Sequence, residues 1–226
     1  MREHAIVIAG GRIEDDFALR FLSEQAEKPE KDMPLLIAAD RGLLFLERHG
    51  FVPDWVVGDF DSAKEAYVEQ YLRAHPTVQS RKYAWEKDYT DTEIAARRAA
   101  DLGCKKIDFL GATGGRFDHT LGCVQVLALL LDRGVFGRIL ESHNRISIHN
   151  RSFHIRKSEQ WGKYVSFFAW GEDVHGVTLT GFHFPLMDAV ITSAGTLAIS
   201  NQIESECAEV SFRSGRLLMV ESRDSL

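Results

Sequence analysis

The sequence has little cysteine, no long hydrophobic run and no excess of positive charge. Its three cysteines, Cys104, Cys123 and Cys207, are far apart, so neither a disulfide framework nor a cysteine-based metal site is expected. The N-terminal apolar run is too short for a signal peptide or a membrane span. With 33 acidic against 27 basic residues, the formal charge of -6 argues against a broad nucleic-acid or membrane surface. We therefore expect a cytoplasmic protein with neither kind of partner.

Several common catalytic signatures are also missing. No Gly-x-x-x-x-Gly-Lys-Ser/Thr loop occurs, so any ATP would be bound without a Walker motif. The dinucleotide fingerprint fails in the most glycine-rich turn, because Phe117 stands where a third glycine is needed. The nine histidines form no His-x-x-x-His zinc pattern, and the Gly-x-Ser-x-Gly elbow of serine hydrolases is absent.

The first two thirds of the chain alternate short apolar runs with amphipathic segments. Strands that alternate with helices predict a parallel sheet covered on both faces. The fraction of hydrophobic residues, 45% of 226, is enough for an ordinary core. The predicted strands are 4–9, 35–39, 55–57 and 107–110, and the predicted helices are 14–26, 43–48, 91–102 and 118–131.

The pattern changes near residue 150. Short segments rich in β-branched and aromatic residues follow, separated by Gly, Asn, Asp and Ser, which predicts a small antiparallel sandwich or barrel. We therefore expect a Rossmann-like α/β domain over residues 1–150 and an all-β domain over residues 151–226. The predicted strands of the second domain are 153–155, 164–170, 177–180, 189–192, 196–200, 207–212 and 216–220.

Aspartates follow several of the predicted parallel strands, where open sheets of this kind bind ligands. A single aspartate in a loop is more often a helix cap than a catalytic group, and Asp91, which starts a helix, could simply complement the helix dipole. Several carboxylates at one sheet edge, however, repel one another unless a hard cation such as Mg2+ neutralises them. The set comprises Asp40, Asp59, Asp61, Asp88, Asp91 and Asp118.

A glycine-rich segment over residues 111–119 lies between a predicted strand and a predicted helix. Its glycines, Gly114 among them, let backbone amides approach an anion, and the helix that follows favours a phosphate. Arg116 could add a forked donor for phosphate, with His119 as its neighbour. A tight strand-to-helix turn without a ligand is the alternative explanation of this segment.

Taken together and in order, these segments resemble the thiamine pyrophosphokinase family over nearly the whole chain. The matching runs are Ala39-Asp40-Arg41-Gly42, Pro53 through Ser62, Lys87-Asp88-Tyr89-Thr90-Asp91, Gly111 through Leu121, Gly181 through Leu186, and Ser200-Asn201. The resemblance implies an α/β catalytic domain, a β-sandwich and a homodimer whose active site lies between subunits. It also implies transfer of the terminal diphosphate of ATP to the thiamine hydroxyl, with release of AMP.

The resemblance further implies roles for individual residues. Asp59, Asp61, Asp88 and Asp91 would be catalytic, and the first three would hold Mg2+. Asp40, Gly114, Arg116, Asp118 and His119 would bind ATP and its phosphates, and Ser200 and Asn201 would bind thiamine. Four positions depart from the family pattern: Arg41 replaces a common Gly, Gly122-Cys123 replaces Ala-Asn, and Phe184 replaces a frequent Tyr.

Two other functions compete with this prediction. Asp59-Phe60-Asp61 is also an Asp-x-Asp motif of metal-dependent nucleotide-sugar glycosyltransferases, although that class explains neither segment 111–119 nor the β domain. A thiamine-binding sensor without activity would keep the fold, but it has no need for so many carboxylates.

Overall fold

The computed structural model describes residues 2–58, 62–82 and 88–224, with the side chains of 62–64 and 82 excepted. The chain divides into two compact units between Glu141 and Ser142. The sequence predicted this division near residue 150. It lies earlier because strand Asn144–His149 pairs along its whole length with strand Leu217–Ser222 of the second unit.

In the part of the first unit that the structure describes, the sheet has six parallel strands. Their order across the sheet is β6-β5-β1-β2-β3-β4, so the chain runs outward from β1 to β4 and then returns to the other side of β1. The central strands are almost entirely apolar and buried, as expected when helices cover both faces. The strands are β1 (His4–Ile8), β2 (Leu35–Ala39), β3 (Trp55–Gly58), β4 (Gln79–Lys82), β5 (Lys106–Leu110) and β6 (Phe136–Leu140).

Within the described ranges, five α-helices connect these strands. In α4, the residues Ile94, Ala95 and Ala99 recur at helical spacing and are buried, while the opposite face carries charge. In α5, the buried side chains include Val124, Leu127 and Leu130. The helices are α1 (Asp15–Ala26), α2 (Gly42–Arg48), α3 (Ser62–Ala74), α4 (Asp91–Asp101) and α5 (Phe117–Asp132).

The second unit consists of two antiparallel sheets, with strand orders β12-β9-β14-β7 and β11-β10-β13-β8. Its core contains Val165, Phe167, Val177, Val210 and Leu217, each at most 1% exposed. The strands are β7 (Asn144–His149), β8 (Phe153–Arg156), β9 (Tyr164–Ala169), β10 (Val174–Thr180), β11 (Leu186–Ile191), β12 (Ala198–Asn201), β13 (Cys207–Ser211) and β14 (Leu217–Ser222).

The predicted fold class, a parallel α/β sheet followed by an antiparallel β domain, is confirmed. Among the α-helices and strands of the described residues, four were not predicted. Helix α3 and strand β4 are largely polar, and β6 contains a glycine, so each gives a weak pattern. Strand β7 alternates polar and apolar residues and could have been recognised. No described helix is long and apolar enough to cross a membrane.

Candidate active site

A cavity of about 500 Å³ lies in the first unit, where the loops after β1, β2 and β5 meet the start of α4. Because the chain leaves β1 in one direction and returns to its other side at β5, this edge is the topological switch point of the sheet. Open α/β sheets bind ligands at that point. The wall consists of Ala9, Gly10, Gly11, Arg12, Ala39, Asp40, Arg41, Thr90, Asp91, Thr92, Gly111, Ala112, Thr113, Gly115, Arg116, His119, Thr120 and Cys123.

Glycines bring the loops after β1 and β5 into direct backbone contact. The amide of Gly11 donates a hydrogen bond to the carbonyl oxygen of Gly111 at 2.8 Å. A Cβ on Gly11 would lie 2.4 Å from that oxygen, so no larger residue fits there. Gly114 has φ +77, and a Cβ on it would lie 3.0 Å from the Cβ of Arg12. The glycine-rich segment therefore lies directly against the start of the Arg12 side chain.

Asp40 occupies the end of β2 in a left-handed conformation, with φ 47. Its amide donates to the carbonyl oxygen of Val57 at 3.0 Å, which continues the pairing of β2 with β3 beyond the last residue of β2. A Cβ on Gly10 would lie 3.4 Å from the Asp40 carboxylate, so the carboxylate lies beside the loop after β1. The predicted nucleotide-binding residue Asp40 is thus part of the cavity wall.

Helix α4 brings Asp91 to the same cavity. The sequence suggested that an aspartate caps this helix, but the cap is Thr90, whose hydroxyl accepts a hydrogen bond from the amide of Glu93 at 3.2 Å. Asp91 is the first helical residue and is half-buried in the cavity wall, next to Thr92. Because Thr90 satisfies the helix end, the carboxylate of Asp91 is not required as the cap.

The loop after β5 presents an arginine that is paired with an aspartate. Arg116 donates to both carboxylate oxygens of Asp118, from Nε at 3.1 Å and from Nη2 at 2.5 Å. This side-chain hydrogen bonding, together with the amide of His119, lowers the pKa of Asp118. Arg116 and His119 line the cavity, while Asp118 is exposed beside it and holds the guanidinium.

The remaining predicted aspartates have different placements. Asp88 is exposed and does not contribute to the cavity wall. Asp59 and Asp61 follow β3 in the chain and lie outside the described residues. Within residues 2–58, 62–82 and 88–224, no group of three or more His, Cys, Asp or Glu side chains forms a metal cluster. Asp40 and Asp91 nevertheless supply two carboxylates to one cavity, and oxygen ligands of this kind suit Mg2+.

The two predicted thiamine-binding residues lie at the end of β12. Ser200 is exposed and has φ 58, and its amide donates to the hydroxyl of Ser166 at 2.9 Å. Asn201 is buried, with 2% of its surface exposed. Its carboxamide bonds to the backbone of Phe184, accepting from the amide at 2.9 Å and donating to the carbonyl at 2.7 Å.

Sequence reasoning missed several residues of the cavity wall. Gly10, Gly11 and Arg12 follow β1 directly, and their position after the first strand of an α/β pattern was the available signal. Thr92 and Cys123 also line the cavity and are hydrogen-bonded to each other. No sequence signal pairs these two residues, because they lie on different helices.

The fold and cavity define an α/β protein with a cavity at the switch point of a parallel sheet. The family model described as thiamin pyrophosphokinase, catalytic domain, matches residues 26–135. The model described as thiamin pyrophosphokinase, vitamin B1 binding domain, matches residues 150–217. The thiamine pyrophosphokinase of Bacillus subtilis is 34% identical over 190 residues, covering 84% of this chain and 88% of that protein.

Solved structures give the same result. The crystal structure of the Bacillus subtilis thiamine pyrophosphokinase matches with a TM-score of 0.83 at 33% identity, covering 98% of this chain and 100% of that one. That of the Geobacillus thermodenitrificans thiamin pyrophosphokinase matches with a TM-score of 0.80 at 32% identity, covering 98% of each chain. The chain belongs to the thiamine pyrophosphokinase family, and the predicted family and enzyme class are confirmed.

Proposed function

We propose that this chain transfers the diphosphate of ATP to the hydroxyl group of thiamine, giving thiamine diphosphate and AMP. The observation that carries the proposal is the cavity at the switch point. It combines two carboxylates, Asp40 and Asp91, with the guanidinium groups of Arg12, Arg41 and Arg116. A site of this composition suits a polyphosphate together with a hard cation.

The reaction follows from the charges that must be balanced. The thiamine oxygen forms a bond to the β-phosphorus, and the bond from that phosphorus to the oxygen bridging to the α-phosphorus breaks. The electron pair leaves on AMP, and the hydroxyl proton is released. Transfers of this kind depend on positioning and on neutralising charge on the phosphoryl oxygens. Arg116 would orient these oxygens, with Asp118 holding its guanidinium plane.

Mg2+ is the cation that the carboxylates would hold. Asp40 and Asp91 offer oxygen ligands from the cavity wall. By family resemblance, Asp59, Asp61 and Asp88 would complete the set. Bound there, Mg2+ would supply positive charge to the phosphate oxygens. The protein's own contribution is to fix the two described carboxylates on separate elements, β2 and α4, so that the phosphate chain lies between them.

Thiamine would be bound by the second unit, through Ser200 and through backbone groups that Asn201 positions. We assign ATP binding to the first unit and thiamine binding to the second, which divide between Glu141 and Ser142. The three free cysteines and the use of ATP agree with a cytoplasmic location.

A homodimer with active sites between subunits is part of the proposal. The edge strands β11 and β12 and the residue before β12 carry exposed apolar side chains. Met187 is 89% exposed and Leu197 is 60% exposed. Exposed apolar groups on edge strands favour burial against a partner.

Subunit mixing tests the shared site. An Asp40→Asn chain and a Ser200→Ala, Asn201→Ala chain, each strongly impaired alone at a low thiamine concentration, would be co-refolded. If each site combines two subunits, the mixed dimer has one intact site, and activity returns to about a quarter of the wild-type value. No recovery would place the whole site within one subunit.

The decisive experiment for the activity is product identification. The purified chain is incubated with ATP, MgCl2 and thiamine, and the products are separated by liquid chromatography and identified by mass. AMP and thiamine diphosphate in equal amounts are expected, with none when EDTA replaces MgCl2. Absence of both products would refute the proposal, and turnover of a sugar nucleotide under the same conditions would favour a glycosyltransferase.

A further inference from the structure

Three arginines line the cavity of the first unit, each on a different loop. Arg12 follows β1, Arg41 follows β2 and Arg116 follows β5. Arg116 is engaged by Asp118 through two hydrogen bonds. Arg12 and Arg41 are exposed, and neither has an ion-pair partner among the residues that the structure describes. In a chain of formal charge -6, two such guanidinium groups in one cavity need a structural or functional explanation.

The backbone holds both arginines in place. Gly114 lies close to the stem of Arg12, because a Cβ on that glycine would lie 3.0 Å from the Cβ of Arg12. Arg41 precedes Gly42, where a Cβ would lie 2.0 Å from the carbonyl oxygen of Ile8. The start of α2 is therefore pressed against β1. The stems are set by close backbone contacts while the guanidinium groups face solvent.

The two stems lie on opposite sides of the loop after β1. A Cβ on Gly10 would lie 3.5 Å from the Cβ of Arg41, which belongs to the β2 side. Arg12 contacts Gly114, which belongs to the β5 side. A chain of phosphates lying over Gly10 and Gly11 would thus have one arginine on each flank.

We propose that Arg12 and Arg41 are the phosphate-counting residues of the nucleotide site: together they bind the polyphosphate chain and make affinity depend on the number of phosphates. The proposal rests on ATP being the co-substrate. Guanidinium groups bind phosphate oxygens in a fork, and each added phosphate offers another such contact. ATP can engage both arginines through its β- and γ-phosphates, whereas AMP lacks these two phosphates and engages neither arginine. The arrangement therefore favours substrate over the released AMP.

The test is binding of ATP, ADP and AMP without thiamine, so that no turnover occurs. Arg12→Gln, Arg41→Gln and the double variant are compared with wild type by isothermal titration calorimetry in MgCl2. Each single variant is expected to weaken ATP binding about tenfold or more, from the loss of charged hydrogen bonds, while the dissociation constant of AMP changes by less than about threefold. Arg20→Gln, at an exposed position of α1, is the matched control and should bind all three nucleotides as wild type does.

Three outcomes would decide against the assignment. Unchanged ATP binding in both single variants would exclude these arginines from the site. Equal losses of affinity for ATP and AMP would show that the two arginines contact the nucleoside or have only a structural role. If a glutamine variant fails to fold in a thermal melt, the Arg→Lys variant at that position replaces it, and ATP binding equal to wild type would then refute the forked contact. Failure of the wild-type chain to bind ATP would instead refute the proposed function.

Discussion

The carboxamide of Asn201 forms hydrogen bonds with both the amide and the carbonyl group of Phe184. Its Oδ1 accepts a hydrogen bond from the Phe184 amide at 2.9 Å, and its Nδ2 donates to the Phe184 carbonyl at 2.7 Å. The same Oδ1 also accepts from the amide of Gln202 at 2.9 Å. Phe184 itself is 59% exposed, so a buried amide positions an exposed ring.

Replacing Asn201 by alanine should therefore affect stability as well as thiamine use. Loss of the carboxamide leaves the part-buried amide and carbonyl groups of the Phe184 backbone without these partners, which costs about 1–3 kcal/mol. We expect a lower midpoint in urea unfolding and a raised KM for thiamine. Ser200→Ala is the matched control: the side chain is exposed, so stability should change by less than about 0.5 kcal/mol while the KM for thiamine rises. An Asn201→Ala chain with unchanged stability would contradict the positioning role.

The ligand-binding edge of the sheet in the first unit could be predicted from the sequence. Buried parallel strands give continuous apolar runs, and ligands bind where these strands end. That reasoning placed Asp40 and Arg116 at a cavity, and both line it. It could not place Arg12 there, since its position depends on the contact of two glycine loops that are distant in sequence.

Asn201 illustrates the opposite difficulty. Its residue type and its motif suit a ligand contact, but burial cannot be read from one polar residue at a strand end. In the structure the strand β12 turns at Ser200, which has φ 58, and Asn201 points inward. Asp59 and Asp61, the predicted Mg2+ ligands that follow β3, lie outside the described residues and stay predictions.

Gly42 should be intolerant of alanine. A Cβ there would lie 2.0 Å from the carbonyl oxygen of Ile8, and backbone atoms cannot move aside without shifting α2 away from β1. We expect a loss of about 1–3 kcal/mol in the free energy of unfolding, measured in urea. Gly122→Ala is the control within α5: nothing lies within 4 Å of the added methyl group, so stability should rise by about 0.5–1 kcal/mol. Equal effects at the two glycines would refute the close approach of α2 and β1.

Asp108 is fully buried and paired with Arg138, whose Nε lies 2.7 Å and Nη2 2.8 Å from its carboxylate oxygens. Burial raises the pKa of Asp108, but hydrogen bonds from His4 and Arg138 outweigh it and hold the pKa well below the usual range. Asp108→Asn should cost about 3 kcal/mol, because it leaves the guanidinium of Arg138, whose side chain is 20% exposed, without its counter-charge. Asp101→Asn removes the partner of Arg133 in an exposed pair and should cost less than about 1 kcal/mol.

The depressed pKa of Asp108 also predicts that the folded protein loses stability in acid. Because the folded-state pKa of Asp108 is depressed, its stabilisation is complete above the ordinary value of 3.8 and is lost as the pH falls below it. Urea unfolding between pH 5 and pH 3 should show a steeper loss of stability in wild type than in Asp108→Asn. Parallel pH profiles would mean that this carboxylate does not titrate abnormally.

His149 sets a second pH dependence, at milder acidity. Burial, assisted by the charge of Arg145, lowers the pKa of His149 from 6.5 to about 4. In the unfolded chain the imidazole is protonated below pH 6.5, whereas in the folded chain it stays neutral until about pH 4. The free energy of unfolding therefore falls by roughly 3 kcal/mol as the pH is lowered across this window. His149→Phe keeps the ring stacked on Phe153 and should flatten the profile. His154→Gln, which removes an exposed imidazole, should leave the slope unchanged.

Asp40→Asn and Asp91→Asn distinguish a metal-binding role from a structural one by the sign of their effects. With Mg2+ present, each variant should lower kcat/KM about a hundredfold or more, because one oxygen ligand loses its charge. With EDTA, each should bind ATP as well as wild type or better, because a carboxylate that repels phosphate has been removed. Asparagine also tolerates the left-handed conformation of Asp40, where φ is 47, so folding should be kept.

Asp16→Asn, at an exposed position of α1, controls for the change in net charge. Weaker ATP binding in both conditions would show that these carboxylates contact the nucleotide itself and would refute their role as metal ligands.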